Sequence, residues 1–138
     1  MSAPLSAHHL QEFLNAEFPG FKSRIVSASP NHCELIRLVS TSDLRPGGTV
    51  SGPTMMELAD TALYVAVLAT IGLVPLAVTT NLTINFLRKP AANRDLRAAC
   101  DLHKVGKTQA MGSVAIYSLG DDDMVAHVVG TYAIPSQR

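Results

Sequence analysis

The sequence predicts an α+β fold in which a curved antiparallel sheet wraps around one long central helix. Residues 53–71 are apolar on nearly every side of a helix, and the segments after them alternate between apolar and polar residues, as strands do. The chain has 138 residues, of which 47% are hydrophobic and 16% are charged. That length and composition fit one domain spanning residues 1–138, with a sizeable core.

The first predicted element is a short amphipathic helix within residues 1–20. Its apolar residues recur at helical spacing, and they are Leu10, Phe13, Leu14 and Phe18. The break at Pro19-Gly20 ends the pattern. We expect this helix to pack on the body of the domain or to cover a cleft. Residues 24–39 then indicate two strand pieces joined by a bend at Pro30-Asn31.

The central helix is predicted from Pro53 to Ile71, with Gly72 at its end and Pro75 beyond. One narrow polar ridge runs along it at three- and four-residue spacing, formed by Thr54, Glu57, Asp60, Thr61 and Tyr64. A helix that is apolar on every other face must be largely buried. The remaining strands therefore have to cover it.

Four strands are predicted after the helix. In residues 77–88 one face carries Val78, Thr80, Leu82, Ile84 and Phe86, and the other carries Thr79, Asn81, Thr83 and Asn85. Residues 96–103 and 108–119 form a hairpin, and residues 124–134 form the last strand after the turn at residues 120–123. Long strands joined by short turns indicate an antiparallel meander.

Composition argues against several classes of function. Eleven basic and eleven acidic residues cancel, and there is no Trp and little aromatic content, which disfavours nucleic-acid binding. The most apolar stretch, residues 62–69, is too short to span a membrane. Cys33 and Cys100 are far apart in the sequence and alone, and the start at Met1 has no signal-like pattern, so we expect a cytoplasmic protein. The His and Cys spacing predicts no metal site.

Three segments of the sequence resemble the hotdog-fold acyl-CoA thioesterases, specifically the branch of the phenylacetate-degradation thioesterase (PaaI-like). These segments are residues 52–62, with their Leu58-Ala59-Asp60-Thr61-Ala62 core, residues 78–88 and residues 125–133. The resemblance covers roughly residues 24–135 and implies the hotdog fold. It also implies hydrolysis of an acyl-CoA substrate, with no cofactor besides the coenzyme A of that substrate.

The resemblance also implies roles for three residues. Gly52 matches the glycine whose N–H polarises the thioester carbonyl, Asp60 matches the aspartate that acts as nucleophile or general base, and Thr79 matches a water-orienting hydroxyl. Gly52 and Asp60 lie eight residues apart, which is ~12 Å along one helix at ~1.5 Å per residue. One carbonyl cannot reach both. We therefore expect a homodimer or a dimer of dimers, in which Gly52 of one subunit meets Asp60 of another.

The start of the central helix departs from the family pattern. The branch usually has His-Gly-Gly where this chain has Ser51-Gly52-Pro53, and Pro53 has no N–H to donate. Arg45 stands where asparagine or histidine is common in the branch, and it could orient a carbonyl or a carboxylate. The simpler interpretation is that Ser51 is a helix cap and Arg45 a solvated loop residue.

Basic residues that could hold the phosphates of coenzyme A follow the third strand: Arg88, Lys89, Arg94, Arg97, Lys104 and Lys107. Arg88 is the first choice among them because it ends a family motif, and Lys104 and Lys107 are further candidates for binding. Ordinary solvated strand ends are the competing interpretation.

Two functions remain open from the sequence. The first is a thioesterase that uses Asp60 and Gly52 across a dimer interface, and the second is a non-catalytic acyl or acyl-CoA binding protein with the same fold. Asp60 could also be structural, bonded to Thr61, Tyr64 or a neighbouring subunit. A hotdog dehydratase is disfavoured, because the central helix region has no histidine to serve as its base.

Overall fold

Two α-helices and six strands follow one another in residues 5–136, the part of the chain that the computed structural model describes. They are α1 (Ala7–Glu17), β1 (Ser23–Ser29), β2 (His32–Arg37), α2 (Gly52–Ile71), β3 (Val78–Phe86), β4 (Leu96–Val105), β5 (Gln109–Ser118) and β6 (Met124–Ala133). The start of the chain at Met1, used in the prediction against export, lies outside the described residues. The predicted helices and strands are present within a few residues of their expected bounds.

All six strands form one antiparallel sheet in the order β1-β2-β4-β5-β6-β3. Strands β4, β5 and β6 form the predicted meander. Strand β3, however, lies at the far edge beside β6, so the expectation of one continuous meander is wrong. Residues 87–95 are too long a connection for a tight hairpin. They carry the chain past the end of β5, where the Ala91 N–H donates to Ser118 Oγ at 3.0 Å.

Helix α2 is the centre of the core and packs against every strand of the sheet. Six strands at roughly 4.8 Å spacing span about 24 Å, which is more than twice the diameter of a helix. One helix can touch all of them only if the sheet curls around it. By length and mean hydropathy, 1.4, α2 could cross a membrane, but 67% of that stretch is buried inside the domain. Helix α1 packs beside α2 and β1 through Leu10 and Leu14.

Two details of β1 and β2 extend the sequence prediction. The bend at Pro30-Asn31 is the turn of a β-hairpin, with Asn31 in the left-handed region at φ 69°. Cys33 and Cys100 are far apart in the sequence, but the fold pairs them in register on β2 and β4. Both are buried and free. A hydrogen bond with Cys100, together with burial, raises the pKa of the Cys33 thiol.

A buried ion pair fixes the segment that leads into α2. Arg37, at the end of β2, is only 2% exposed and donates from Nη1 and Nη2 to the two carboxylate oxygens of Asp43, at 3.1 and 3.0 Å. Its Nε also donates to Glu57 on α2 at 2.9 Å. The Asp43 carbonyl accepts the Ser51 N–H at 2.8 Å, just before the helix begins. The ion pair therefore ties the sheet to the start of α2.

Removal of the Asp43 charge should loosen this connection. Burial by itself would raise the pKa of Asp43, but hydrogen bonds from Arg37 and from the Ser40 N–H lower it from 3.8 to about 2. The carboxylate thus stabilises the fold fully above about pH 4, and this contribution is lost as the pH falls toward 2. We expect Asp43→Asn to lower the free energy of unfolding by about 3 kcal/mol, because it leaves Arg37 buried without that partner.

Chemical denaturation at fixed protein concentration, repeated between pH 7 and pH 2, measures both effects. Asp121→Asn is the matched control, because Asp121 pairs with Arg94 at 3.0 Å where both side chains are about half exposed. It should cost no more than about 1 kcal/mol. Equal losses in the two variants would contradict the assignment of Asp43 to a buried, structure-determining pair.

Candidate active site

Asp60 lies in the third turn of α2, with its carboxylate partly buried between the helix and the sheet. Its Oδ1 accepts a hydrogen bond from the Tyr132 hydroxyl at 2.8 Å and another from the Thr79 hydroxyl. No hydrogen bond to Oδ2 is found among residues 5–136. The carboxylate therefore has one oxygen held by two donors and one that these donors leave available.

Thr79 reaches Asp60 because β3 contains a β-bulge. Thr79 pairs with Tyr132, and after the bulge Leu82 pairs with Gly130. Between these two pairs β3 therefore has one residue more than β6. An extra residue reverses which side chains face the core. Thr79 therefore shares the helix-facing side with Leu82, while Val78 is 56% exposed. The predicted face assignment, which put Val78 and Leu82 together and Thr79 opposite, is wrong.

Tyr132 is a member of the site that the sequence analysis did not select. It is 4% exposed, and its hydroxyl also contacts the Asp60 backbone carbonyl at 3.0 Å. Burial raises its pKa, as do the charge and the hydrogen bond of Asp60, against a hydrogen bond with Thr79 that lowers it. The hydroxyl thus stays protonated at neutral pH. A signal for it exists in the sequence, because Tyr132 shares one face of β6 with Ala126 and Val128, and a buried tyrosine usually needs a hydrogen-bond partner.

The start of α2 offers one backbone donor. Ser51 is the N-cap, and its Oγ accepts the Thr54 N–H at 3.3 Å, while its carbonyl accepts the Met55 N–H at 3.3 Å. Pro53 has no N–H. The Gly52 N–H is therefore the backbone donor at the helix start that has no hydrogen-bond partner among residues 5–136. It lies at the positive end of the helix dipole, where an oxyanion is stabilised.

Gly52 and Asp60 do not meet within one chain. Both belong to the same continuous helix, so their separation is the predicted ~12 Å along its axis. The Phe86 ring lies beside Gly52, since a Cβ added there would be 3.1 Å from Phe86 Cζ. Thus the Gly52 end of α2 neighbours the end of β3, whereas Asp60 neighbours Thr79 near the start of β3.

A cavity of about 690 Å³ opens beside Asp60, Thr79 and Tyr132. One wall comes from the connection after α1, where Phe18 and Phe21 contribute aromatic rings. Phe18 stands edge-on to Tyr64, with ring centroids 6.1 Å apart. The end of α1 and the residues after it therefore cover this cavity, as expected for the first helix. The volume is that of a typical small-molecule site.

The predicted basic residues do not form one patch. Arg45 is exposed in a tight loop before α2, in which its N–H donates to the Thr49 carbonyl at 2.9 Å. Arg88 is exposed and lies 3.7 Å from Asp123, with its Nε donating to the Met124 carbonyl. Lys104 and Lys107 lie at the far end of β4. By strand length, that end is about 30 Å from the beginning of β4. A single binding surface cannot include all of these residues in one chain.

Two further members of the predicted cluster are engaged with acids. Arg94 pairs with Asp121, and Arg97 pairs with Glu34 at 3.5 Å while stacking 4.2 Å over the Tyr117 ring. These contacts favour the interpretation of solvated strand residues for both. Elsewhere in the described residues no group of three or more His, Cys, Asp or Glu side chains is placed to hold a metal ion. The candidate reactive groups are the Asp60 carboxylate, the Thr79 and Tyr132 hydroxyls and the Gly52 N–H.

Comparison with known proteins identifies the family. The family model of the thioesterase superfamily matches residues 47–125. A candidate thioesterase from Silicibacter sp. TM1040 is 39% identical, with a TM-score of 0.89 over 98% of this chain and 95% of that one. The PaaI protein of the E. coli phenylacetic acid degradation operon is 22% identical, with a TM-score of 0.80 over 94% and 91% of the two chains.

A Streptococcus mutans protein solved with acetyl-CoA bound is 20% identical, with a TM-score of 0.75 over 86% of this chain and 93% of that one. A search of curated proteins found no match. The six-stranded antiparallel sheet around one long helix is thus the hotdog fold that the sequence predicted.

Proposed function

The chain belongs to the thioesterase superfamily and is a thioester hydrolase, and we propose that it hydrolyses acyl-CoA at a site assembled from two copies of the chain. The observation that carries this proposal is the Asp60 carboxylate, which lines a cavity and is held through Oδ1 by Thr79 and Tyr132. The acetyl-CoA complex of the S. mutans relative supports a coenzyme A thioester as the substrate class.

The position of β3 supports a two-copy site. Its outer edge pairs with no other strand in the described part of the chain, and a bare nine-residue edge strand tends to pair with another chain. Val78, Phe86 and Leu87 on or beside it are each more than half exposed. An antiparallel pairing of β3 with its copy would bring the start of one strand beside the end of the other. That arrangement sets Asp60 of one subunit near Gly52 of its partner.

In this assembly the two groups act on one thioester. The Gly52 N–H donates to the carbonyl oxygen and stabilises the oxyanion that develops there. Asp60 takes a proton from a water molecule as that water attacks the carbonyl carbon, and the tetrahedral intermediate then expels the coenzyme A thiolate, which is protonated. Direct attack by Asp60 would instead break the C–S bond, release the coenzyme A thiolate and give an anhydride between Asp60 and the acyl group. Water would then hydrolyse that anhydride to the free acid and the Asp60 carboxylate. Both routes use the same geometry.

The coenzyme A portion would lie outside the cavity. Arg45 and Ser51 flank the Gly52 end of α2, and Arg88 follows the end of β3. Lys104 and Lys107 lie at the other end of the sheet. In an antiparallel two-fold assembly opposite ends of the two sheets become neighbours, so both groups are proposed as candidates for the phosphates.

The split site makes a specific prediction for mixed dimers. Asp60→Asn should lower kcat by roughly 10²- to 10⁴-fold, because the general base or nucleophile is lost. Gly52→Pro should lower it by roughly 10²- to 10³-fold, because the oxyanion donor is lost. Ser51 already has the extended backbone, with ψ 153°, that a following proline requires. When the two inactive chains are co-expressed with different tags, the mixed dimers should recover about half of the parent activity, because one of their two sites is intact.

Release of free thiol from purified mixed dimers is the measurement. Gly52→Ala is the matched control, since alanine adds the Cβ that meets Phe86 but keeps the N–H, and it should retain much more activity than Gly52→Pro. Inactive mixed dimers would contradict the split site. A parent protein that binds acyl-CoA without any turnover would instead favour the non-catalytic binding function.

The cavity makes a separate prediction about the acyl group. Phe18 closes one wall and is 46% exposed, so Phe18→Ala should enlarge the cavity and shift the preferred acyl chain toward greater length. One or two methylenes of extra apolar contact would change relative kcat/KM by roughly 10-fold. Thiol release from a series of straight-chain and aryl acyl-CoAs gives the ranking.

Val26→Ala is the control for the Phe18 experiment. Val26 is also 46% exposed but lies on β1, where it does not line the cavity. It should leave the ranking of substrates unchanged. If Phe18→Ala ranked the acyl-CoAs as the parent does, the acyl group would have to lie elsewhere.

A further inference from the structure

We propose that Tyr132 is a positioning residue for Asp60, holding Oδ1 so that Oδ2 faces the reacting thioester. The inference rests on the proposed thioesterase function and adds to it a role for a residue to which neither the resemblance nor the comparisons assign one.

The hydrogen bonds act on a single oxygen. The Tyr132 hydroxyl lies 2.8 Å from Oδ1 and 3.0 Å from the backbone carbonyl of Asp60, and Thr79 donates to the same Oδ1. An aspartate carboxylate can rotate about its last side-chain bond, and in solvent its two oxygens would exchange. Two donors on one oxygen oppose that rotation. They also compensate the partial burial of a charged group.

The donors come from elements that cannot move independently. Thr79 and Tyr132 are register partners on β3 and β6, and both strands pack on α2. Tyr132 is 4% exposed, and its ring lies against Tyr64 with centroids 6.0 Å apart. The ring is therefore fixed by packing, and the hydroxyl is delivered to Asp60 at a defined place. A catalytic group held in this way avoids the loss of rate that small misplacements cause.

The competing explanation is that the hydroxyl only satisfies buried polar atoms. In that case Tyr132 would matter for stability and leave the chemical step untouched. Tyr132→Phe separates the two, because it keeps the ring and removes the hydroxyl. We expect kcat to fall roughly 10- to 100-fold while KM changes less than about 3-fold, since the substrate still binds but Asp60 is poorly oriented.

A double variant supplies the decisive comparison. If Tyr132 acts through Asp60, adding Tyr132→Phe to Asp60→Asn should lower activity no further, because the carboxylate to be positioned is already gone. A purely structural role predicts a further loss in that background. Tyr117→Phe is the control for removal of a tyrosine hydroxyl, since Tyr117 packs under Arg97 away from Asp60, and it should leave kcat unchanged.

A second substitution tests the proposal in case Tyr132→Phe folds poorly. A ring-fluorinated tyrosine at position 132 keeps the shape of the side chain and strengthens the hydroxyl as a donor. A change in kcat of about twofold or more at constant KM is expected, and an unchanged kcat would overturn the proposal. Unchanged kcat in Tyr132→Phe, or additive losses in the double variant, would overturn it as well. A parent enzyme inactive on every acyl-CoA would remove the proposed function, and this inference with it.

Discussion

The burial of α2 is the constraint on which the rest of the structure depends. A helix that is apolar on almost every face can be buried only if the sheet curls around it. All six strands contact this helix. Asp60 lies on the narrow polar ridge of this helix, and its carboxylate is partly withdrawn from solvent. Such a group needs hydrogen-bond donors, and the surrounding strands supply them through Thr79 and Tyr132. The packing of α2 and the proposed reactive centre are therefore built from the same contacts.

The rigidity of the same helix keeps the two groups of the proposed site apart. Its start is tied to the sheet by the buried pair of Arg37 and Asp43. Among residues 5–136, the N-cap and Pro53 leave the Gly52 N–H as the available donor there. A continuous helix cannot fold back, so the donor and the Asp60 carboxylate stay apart within one chain. The edge strand β3 runs between these two ends. In the proposed two-fold assembly, pairing of this unpaired edge with its copy would bring the Gly52 end of one helix near Asp60 of the other.

Particular residues show how far local patterns reach. In β4 and β6 the alternation of residues in the sequence matches the observed pattern of burial, because each residue of a regular strand points opposite to its neighbours. In β3 the same rule failed at Thr79, because a single bulged residue reverses the faces and leaves no mark on the local pattern. The pairing of Cys33 with Cys100 was missed for a different reason. It depends on β2 lying beside β4, with a helix and a strand between them in the chain.

By itself the sequence determined the long buried helix and the strands that cover it. It also indicated Gly52 and Asp60 as candidates and showed that one helix cannot bring them together. These follow from periodicity, family motifs and helix geometry, all of which are local. Only the tertiary structure decided that Tyr132 and Thr79 hold one oxygen of Asp60, that Arg37 and Asp43 anchor the helix start, and that the basic residues lie at opposite ends of the sheet. Each of these joins residues distant in the chain, whose meeting depends on strand order and register.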